Sequence, residues 1–242
     1  MHPILFKIGN FNFYTHGFLA VIGIVIASYI LNFLAYKKGL DRSSLYDNLI
    51  LAILFGIIGA KLAYIVLYRE QFSSIWQMFA FWNGGLVSYG GFILGGVAFL
   101  VLLKKQKQSI PAWFDLLATA FPIGLFFGRI GNIYAGDISG IPSRSLLAVG
   151  GRLSAPAFEA VLLIAISILL FIQSRKSKKD GLIFLLFLIT YSGGRFIIDF
   201  LRADPAVLLG ISLGQFFSLA VFLFSSIYCF QLLRKRRKPH VA

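Results

Sequence analysis

Seven long apolar runs constrain this chain more than any single motif. The hydrocarbon layer of a bilayer is about 30 Å thick, which a helix crosses in roughly 20 residues. Backbone N–H and C=O groups find no water there, so such runs satisfy their own hydrogen bonds as helices. The runs lie at His16–Tyr36, Tyr46–Tyr68, Leu86–Leu103, Trp113–Phe127, Pro156–Gln173, Gly181–Leu201 and Leu213–Leu233. With 58% hydrophobic and only 13% charged residues, the chain reads as an all-α integral membrane protein with seven transmembrane helices. It is expected to form one polytopic domain over residues 1–242, with a polar extracytoplasmic segment at 128–154. Met1–Tyr14 lacks a basic stretch leading into an apolar core and a small-residue cleavage site, so no cleavable signal peptide is expected.

The formal charge of +14 invites a nucleic-acid reading, but its distribution argues for a membrane. The stretches after the first, third, fifth and seventh runs hold three, three, four and five Lys or Arg. The remaining eight, Lys7, Lys61, Arg69, Arg129, Arg144, Arg152, Arg195 and Arg202, lie within the runs or on the other side. By the positive-inside rule the N-terminus is outside, the C-terminus is cytoplasmic, and the polar segment faces outward. Arg234–Lys238 reads as a juxtamembrane anchor for anionic headgroups, and no nucleic-acid partner is expected. Cys229, the single cysteine, falls inside the last run and reads as a small buried hydrophobe. Patterns for a P-loop, a zinc-binding HExxH helix or a GxSxG nucleophile elbow are missing. Neither a cofactor nor a metal is expected.

Chemistry concentrates in a few places. Gly128-Arg129-Ile130-Gly131-Asn132-Ile133-Tyr134-Ala135-Gly136-Asp137-Ile138-Ser139-Gly140 follows the fourth run directly. An arginine near the bilayer centre costs about 2.5–3.5 kcal/mol on insertion scales, so Arg129 should face protein, water or a polar ligand. The glycines permit positive φ and close approach, so their amides could line a cup for an anion. The alternative is a re-entrant loop with Arg129 snorkelling to the interface. In the sixth run, Tyr191, Arg195, Asp199 and Arg202 share one helical face. Asp199 can pair Arg195, which leaves Arg129 and Arg202 without acids of their own; this favours a phosphate site, because a guanidinium forks two N–H groups onto phosphate oxygens. Lys61, Tyr64 and Tyr68 line one face of the second run, where Gly56 and Ala60 permit close helix packing. Gly84-Gly85 and Gly90-Gly91, with Tyr89 between them, predict a loosened start to the third helix. His16 opens the first run on the outer side, as an interfacial anchor or a proton carrier.

These residues fall into an ordered set of motifs. Gly128-Arg129-x-Gly131-Asn132-x-x-x-Gly136-Asp137-x-x-Gly140 resembles the Gly-Arg-x-Gly-Asn-Phe-x-Asn-Gly-Glu-x-x-Gly signature of the bacterial prolipoprotein diacylglyceryl transferases. Gly59-Ala60-Lys61-Leu62-Ala63-Tyr64 is similar to that family's Gly-Ala-Arg-x-Gly-Tyr, and Gly84-Gly85-Leu86-Val87-Ser88-Tyr89-Gly90-Gly91 to its Gly-Gly-x-x-x-His-Gly-Gly. Arg195-Phe196-x-x-Asp199-x-x-Arg202 resembles its Arg-Phe-x-x-Glu-x-x-Arg, and Gly210-x-Ser212-x-Gly214-Gln215 with Ser218 resembles the start of its last helix. The resemblance implies transfer of the diacylglyceryl group of phosphatidylglycerol to the lipobox cysteine of a prolipoprotein signal peptide, forming a thioether and releasing glycerol phosphate. It places the chain in the bacterial plasma membrane as a multi-pass protein. Within the motifs, Arg129, Arg195, Asp137, His16 and Tyr89 are the catalytic candidates. Gly128, Gly131, Asn132, Gly140, Asp199, Arg202, Lys61, Tyr64, Gly90 and Gly91 are the substrate-binding candidates.

The chain departs from that pattern at several positions. Aspartates stand at Asp137 and Asp199 in place of glutamates, Lys61 in place of arginine, and Ala135 in place of asparagine. Ser154-Ala155-Pro156 precedes Glu159 where the family has His-Pro-x-Gln-x-Tyr-Glu. Tyr89 stands for histidine before Gly90, while His16 stands for tyrosine before Gly17, so the two side-chain types are exchanged. A related phospholipid-modifying enzyme with another acceptor, and a non-catalytic lipid-binding or transport protein, are the competing readings.

Overall fold

A computed structural model describes residues 3–9, 11–72, 74–79, 85–136, 140–145, 148–177, 179–202 and 210–234. In order the elements are strands β1 (Ile4–Ile8) and β2 (Phe11–Tyr14), helices α1 (Thr15–Lys38), α2 (Leu45–Leu67), the short α3 (Ile75–Phe79), α4 (Ser88–Lys105) and α5 (Ile110–Ala135), strands β3 (Ala148–Val149) and β4 (Arg152–Leu153), and helices α6 (Ala155–Lys176), α7 (Leu182–Ile198) and α8 (Leu213–Arg234). A 3-10 turn, Asp199–Leu201, extends α7. Seven of the helices are long and apolar enough to cross a membrane, as the apolar runs predict. Their lipid-type character is visible in how many large apolar side chains stay exposed, such as Val25, Ile93 and Phe224.

Two departures from the sequence reading matter for function. The fourth helix does not stop at Phe127 but continues to Ala135, so Gly128–Ala135 is helical rather than a re-entrant loop. Its last turns are still closed by their own hydrogen bonds, and among the described glycines of this stretch only Gly136, just beyond the helix, has positive φ (+83°). The polar segment therefore begins after the helix. Secondly, the residues before α1 form an antiparallel hairpin, β1–β2, of which the apolar runs give no sign.

The chain forms two compact units, one of Met1–Leu34 with Pro111–Ala242 and one of Ala35–Ile110. In the first, small residues let helices meet. Gly23 on α1 faces Gly124 on α5, where a Cβ would come 3.3 Å from Ala27 Cβ. Asp115 on α5 is buried and accepts 2.8 Å hydrogen bonds from the N–H groups of Gly181 and Phe184, so it satisfies orphan donors at the start of α7 from a neighbouring helix. Ala118, Ile166, Leu170, Ile183 and Phe187 form the apolar core that α5, α6 and α7 share. Helix α8 begins with a capping box: Ser212 Oγ accepts from Gln215 N–H, and Gln215 Oε1 accepts from Ser212 N–H. That gives the Ser212–Gln215 motif a structural reason.

The second unit is organised by glycines of α2 and α4. A Cβ on Gly59 would collide with the Gly90 carbonyl oxygen and lie 2.6 Å from Leu94 Cβ, and one on Gly90 would meet Gly59 O and Ala63 Cβ. Gly91 and Gly95 face Gly56 in the same way. The chain is helical from Ser88 onward, so Gly90-Gly91 does not loosen the start of α4. The irregular point is Gly85, with φ +72°, followed by Val87, whose N–H donates to Ala60 C=O at 3.0 Å. At the other end of these helices Asn48 and Gln106 exchange two amide hydrogen bonds of 2.8 and 2.9 Å.

The α2–α4 contact yields a direct test. Gly59→Ala forces backbone apart and is expected to lower unfolding stability by about 1–3 kcal/mol. Gly96→Ala, at a helical position with nothing within 4 Å of the added carbon, is expected to be neutral or to stabilise by up to about 1 kcal/mol. Denaturation of the two variants in the same detergent reads the contrast.

Candidate active site

Glu159 is the centre of the first unit's polar cluster. It lies early in α6, is fully buried, and holds an arginine with each carboxylate oxygen. Oε2 is 2.5 Å from Arg129 Nε on α5, and Oε1 contacts Arg195 Nη1 on α7. Arg195 reaches Asp199 Oδ1 through Nη2 at 3.0 Å, and Arg202 Nε lies 3.7 Å from the same oxygen. The result is an unbroken run of alternating charge, Arg129–Glu159–Arg195–Asp199–Arg202. Glu159 and Asp199 are nearly inaccessible, whereas the Arg129 and Arg202 side chains are 26% and 21% exposed. The acids sit beneath and the outer arginines reach the surface. Among the described residues the run holds three cations and two carboxylates, in a place where desolvation strengthens each interaction.

This corrects one sequence expectation. Arg129 and Arg202 are not left without acids: Glu159 takes Arg129, and Asp199 serves Arg202 as well as Arg195. Of the predicted common face of Tyr191, Arg195, Asp199 and Arg202, the last three are joined, since their i,i+4 and i,i+3 spacings become ion pairs, whereas the Tyr191 ring stacks on Phe187.

The polar segment is hydrogen-bonded onto the end of α7. Ile141 N–H donates to Leu201 C=O at 2.9 Å, Leu153 N–H donates to Ile141 C=O at 3.0 Å, and Gly140 and Arg202 form an antiparallel bridge. Gly140 is buried, and a Cβ there would run into the Leu153 carbonyl oxygen. Arg152 Nη1 donates to Gly140 C=O at 3.2 Å. Gly140 thus fastens the backbone that carries Arg202. Gly131 has a comparable role on α5, because a Cβ there would come 2.9 Å from His16 Cα and 3.0 Å from His16 Nδ1. His16 is exposed and sits against the helix two residues beyond Arg129. Asn132 is half-buried next to this contact, and Gly128 has open space around its Cα. Asp137 lies outside the described residues.

The remaining candidates belong to the second unit. Lys61 is buried, with Nζ 5.7 Å from the centre of the Tyr64 ring. Tyr64 covers Gly85, where a Cβ would lie 2.7 Å from its Cζ, and its ring packs on Tyr68 and Phe72. Gly90 and Gly91 face α2, and the Tyr89 ring is about half exposed.

The profile of the prolipoprotein diacylglyceryl transferase family matches residues 3–231. The chain belongs to that family. It is 28% identical over 250 residues to the phosphatidylglycerol–prolipoprotein diacylglyceryl transferase of Clostridium tetani, covering 98% of this chain and all of the relative. The enzymes of the same name from Streptococcus pyogenes serotype M5 and Streptococcus equi subsp. equi are 27% and 26% identical, each over at least 97% of both chains. Family membership covers the residues of the ion cluster, the Gly140–Arg202 bridge and the His16–Gly131 contact alike.

Glu159 was within reach of sequence reasoning as the one acid in the fifth apolar run, since an intramembrane acid requires a cationic partner. What no spacing rule supplies is that its partners come from two other helices. Its removal strands two cations, so Glu159→Ala is expected to cost about 3–5 kcal/mol of stability. Glu159→Gln, which keeps shape and hydrogen-bonding capacity, should cost less. Unfolding curves of both variants in detergent check the order; equal stability of all three proteins would remove Glu159 from the centre of the cluster.

Proposed function

We propose that this chain transfers the diacylglyceryl group of phosphatidylglycerol onto the lipobox cysteine of a prolipoprotein signal peptide, acting as one polytopic domain in the bacterial plasma membrane. The observation that carries the reading is the alternating cluster of three arginines and two buried acids in a chain of this family. The thiolate sulfur attacks the glycerol carbon next to the phosphate, the C–O bond breaks, and glycerol phosphate leaves with the bonding electrons as the thioether forms.

Arg129 and Arg195 hold the lipid phosphate and Arg202 stands at the mouth of the site. Their guanidiniums suit phosphate oxygens, and held in place by Glu159 and Asp199 they need little reorganisation as charge develops on the leaving group. Asn132 and Asp137 shape the headgroup cup with hydrogen bonds. His16, whose ring lies beside Gly131, takes the thiol proton as general base. Tyr89 donates a hydrogen bond to the lipid. Lys61, Tyr64, Gly90 and Gly91 are assigned to donor binding on the resemblance. The site faces outward, because Arg129 and Arg195 lie toward the ends of α5 and α7 opposite their lysine-rich flanks.

Three outcomes are expected. Arg129→Lys and Arg195→Lys keep the charge but lose the fork, and each should lower turnover strongly, by an order of magnitude or more if one charge-assisted hydrogen bond of about 1.5–3 kcal/mol is lost. Turnover is read by transfer of labelled diacylglycerol from phosphatidylglycerol to a lipobox peptide; near-normal rates in both variants would remove the assignment. His16→Gln should lose the activity that depends on a neutral imidazole, and the double exchange His16→Tyr with Tyr89→His should recover turnover. For orientation, with Cys229 replaced by serine, a cysteine at Ser145 should react with an impermeant maleimide in intact cells. One at Lys107 should react only after permeabilisation.

A further inference from the structure

The hairpin ahead of α1 is amphipathic in a way that its own fold does not require. Its cross-strand partners place Phe6 opposite Phe13 and Lys7 opposite Asn12. Residues paired across an antiparallel ladder share a face and adjacent residues alternate, so the two phenylalanines lie on one side and Lys7 with Asn12 on the other. The two rings stack, with centroids 4.6 Å apart and planes 22° from parallel, yet each remains nearly half exposed, at 45% and 44%. A lone two-stranded hairpin is marginal in water, and this one leaves both rings, with Leu5 and Tyr14, partly uncovered.

Its position supplies the covering surface. Strand β2 runs directly into the first apolar helix, with Tyr14 the last residue of one and Thr15 the first of the other. Thr15 N–H donates to Pro3 C=O at 3.0 Å, which ties the open end of the hairpin to the start of that helix. Strands of four and five residues reach only about 13–17 Å, so the hairpin stays near the headgroup layer at the end of α1. That layer is where aromatic rings are enriched, where apolar faces sink about 5–10 Å, and where a lysine meets anionic lipid or water.

We propose that the hairpin is an interfacial anchor that lays its Phe6–Phe13 face on the bilayer surface and turns Lys7 and Asn12 toward water. The partner is the lipid surface itself. Because β2 leads within two residues to His16, the same seat sets the depth at which that histidine meets Gly131 on α5.

Collision accessibility of a nitroxide tests the assignment independently of the transfer reaction. Four variants, Phe6→Cys, Lys7→Cys, Asn12→Cys and Phe13→Cys, each with Cys229→Ser, are spin-labelled and placed in phosphatidylcholine–phosphatidylglycerol vesicles. Labels at 6 and 13 should collide with dissolved oxygen several-fold more, relative to a water-soluble nickel chelate, than labels at 7 and 12. Equal, chelate-dominated values at all four positions would overturn the proposal. So would labels at 6 and 13 shielded from both reagents, since protein would then cover the face. As the labels replace the two rings, the unmodified chain is also irradiated in vesicles carrying a photoactivatable phospholipid with its reactive group near the headgroup. Adducts are expected on the peptide containing Leu5–Tyr14, and their absence there, with adducts present on α1, would equally overturn it.

Discussion

A buried carboxylate that must be neutralised is the constraint around which the polar half of this structure is arranged. Glu159 lies early in a predominantly apolar helix and is itself fully out of contact with solvent. An ionised carboxyl in that setting carries a desolvation cost of several kcal/mol unless cations and hydrogen bonds surround it. Arg129 and Arg195 meet it from two different helices, so a single acid fixes α5, α6 and α7 relative to one another at one level. Asp199 repeats the arrangement one step further along, joining Arg195 to Arg202. The cluster thus resembles a clamp whose parts are separately expensive and jointly tolerable.

The apolar contacts make that clamp possible by bringing backbones close. In lipid there is no large hydrophobic gain from pressing two helices together, so shape and small residues decide. Gly23 against Gly124 seats α1 on α5, and Gly131 lets His16 approach the same helix. At the far end of α7, Asp115 caps two backbone N–H groups from α5. Helices α5 and α7 are therefore pinned at both ends, by a carboxylate on backbone donors at one and by Glu159 on two guanidiniums at the other. Packing of Phe121 on Phe187 lies between the two pins.

Much of this was legible in the chain. Helix number followed from run length and bilayer thickness, and the common face of Arg195, Asp199 and Arg202 followed from their spacing. The motif order gave the family. Three features were not legible, each for a physical reason. The fourth helix reads as ending at Phe127 because glycines and Arg129 are poor company for a membrane helix. It continues because Arg129 has an acid partner from α6 and Gly131 a neighbour from α1, and both are long-range contacts. The partner of Arg129 was invisible for the same reason. The hairpin escaped because its alternation covers only a few residues and merges with the apolar run that follows it.

The alternating cluster takes on a second role under the proposed reaction. A phosphodiester lipid brings one negative charge. When the C–O bond breaks, glycerol phosphate leaves as a monoester that carries more negative charge, roughly 1.5–2 at neutral pH. Arginines placed against that phosphate, as proposed, therefore attract the departing monoester more strongly than the reactant. That difference, rather than tight binding of the donor, is what lowers a barrier. Glu159 and Asp199 hold the guanidiniums in place, and on that proposal they also temper the charge, so that the donor is not bound so firmly that the advantage is lost.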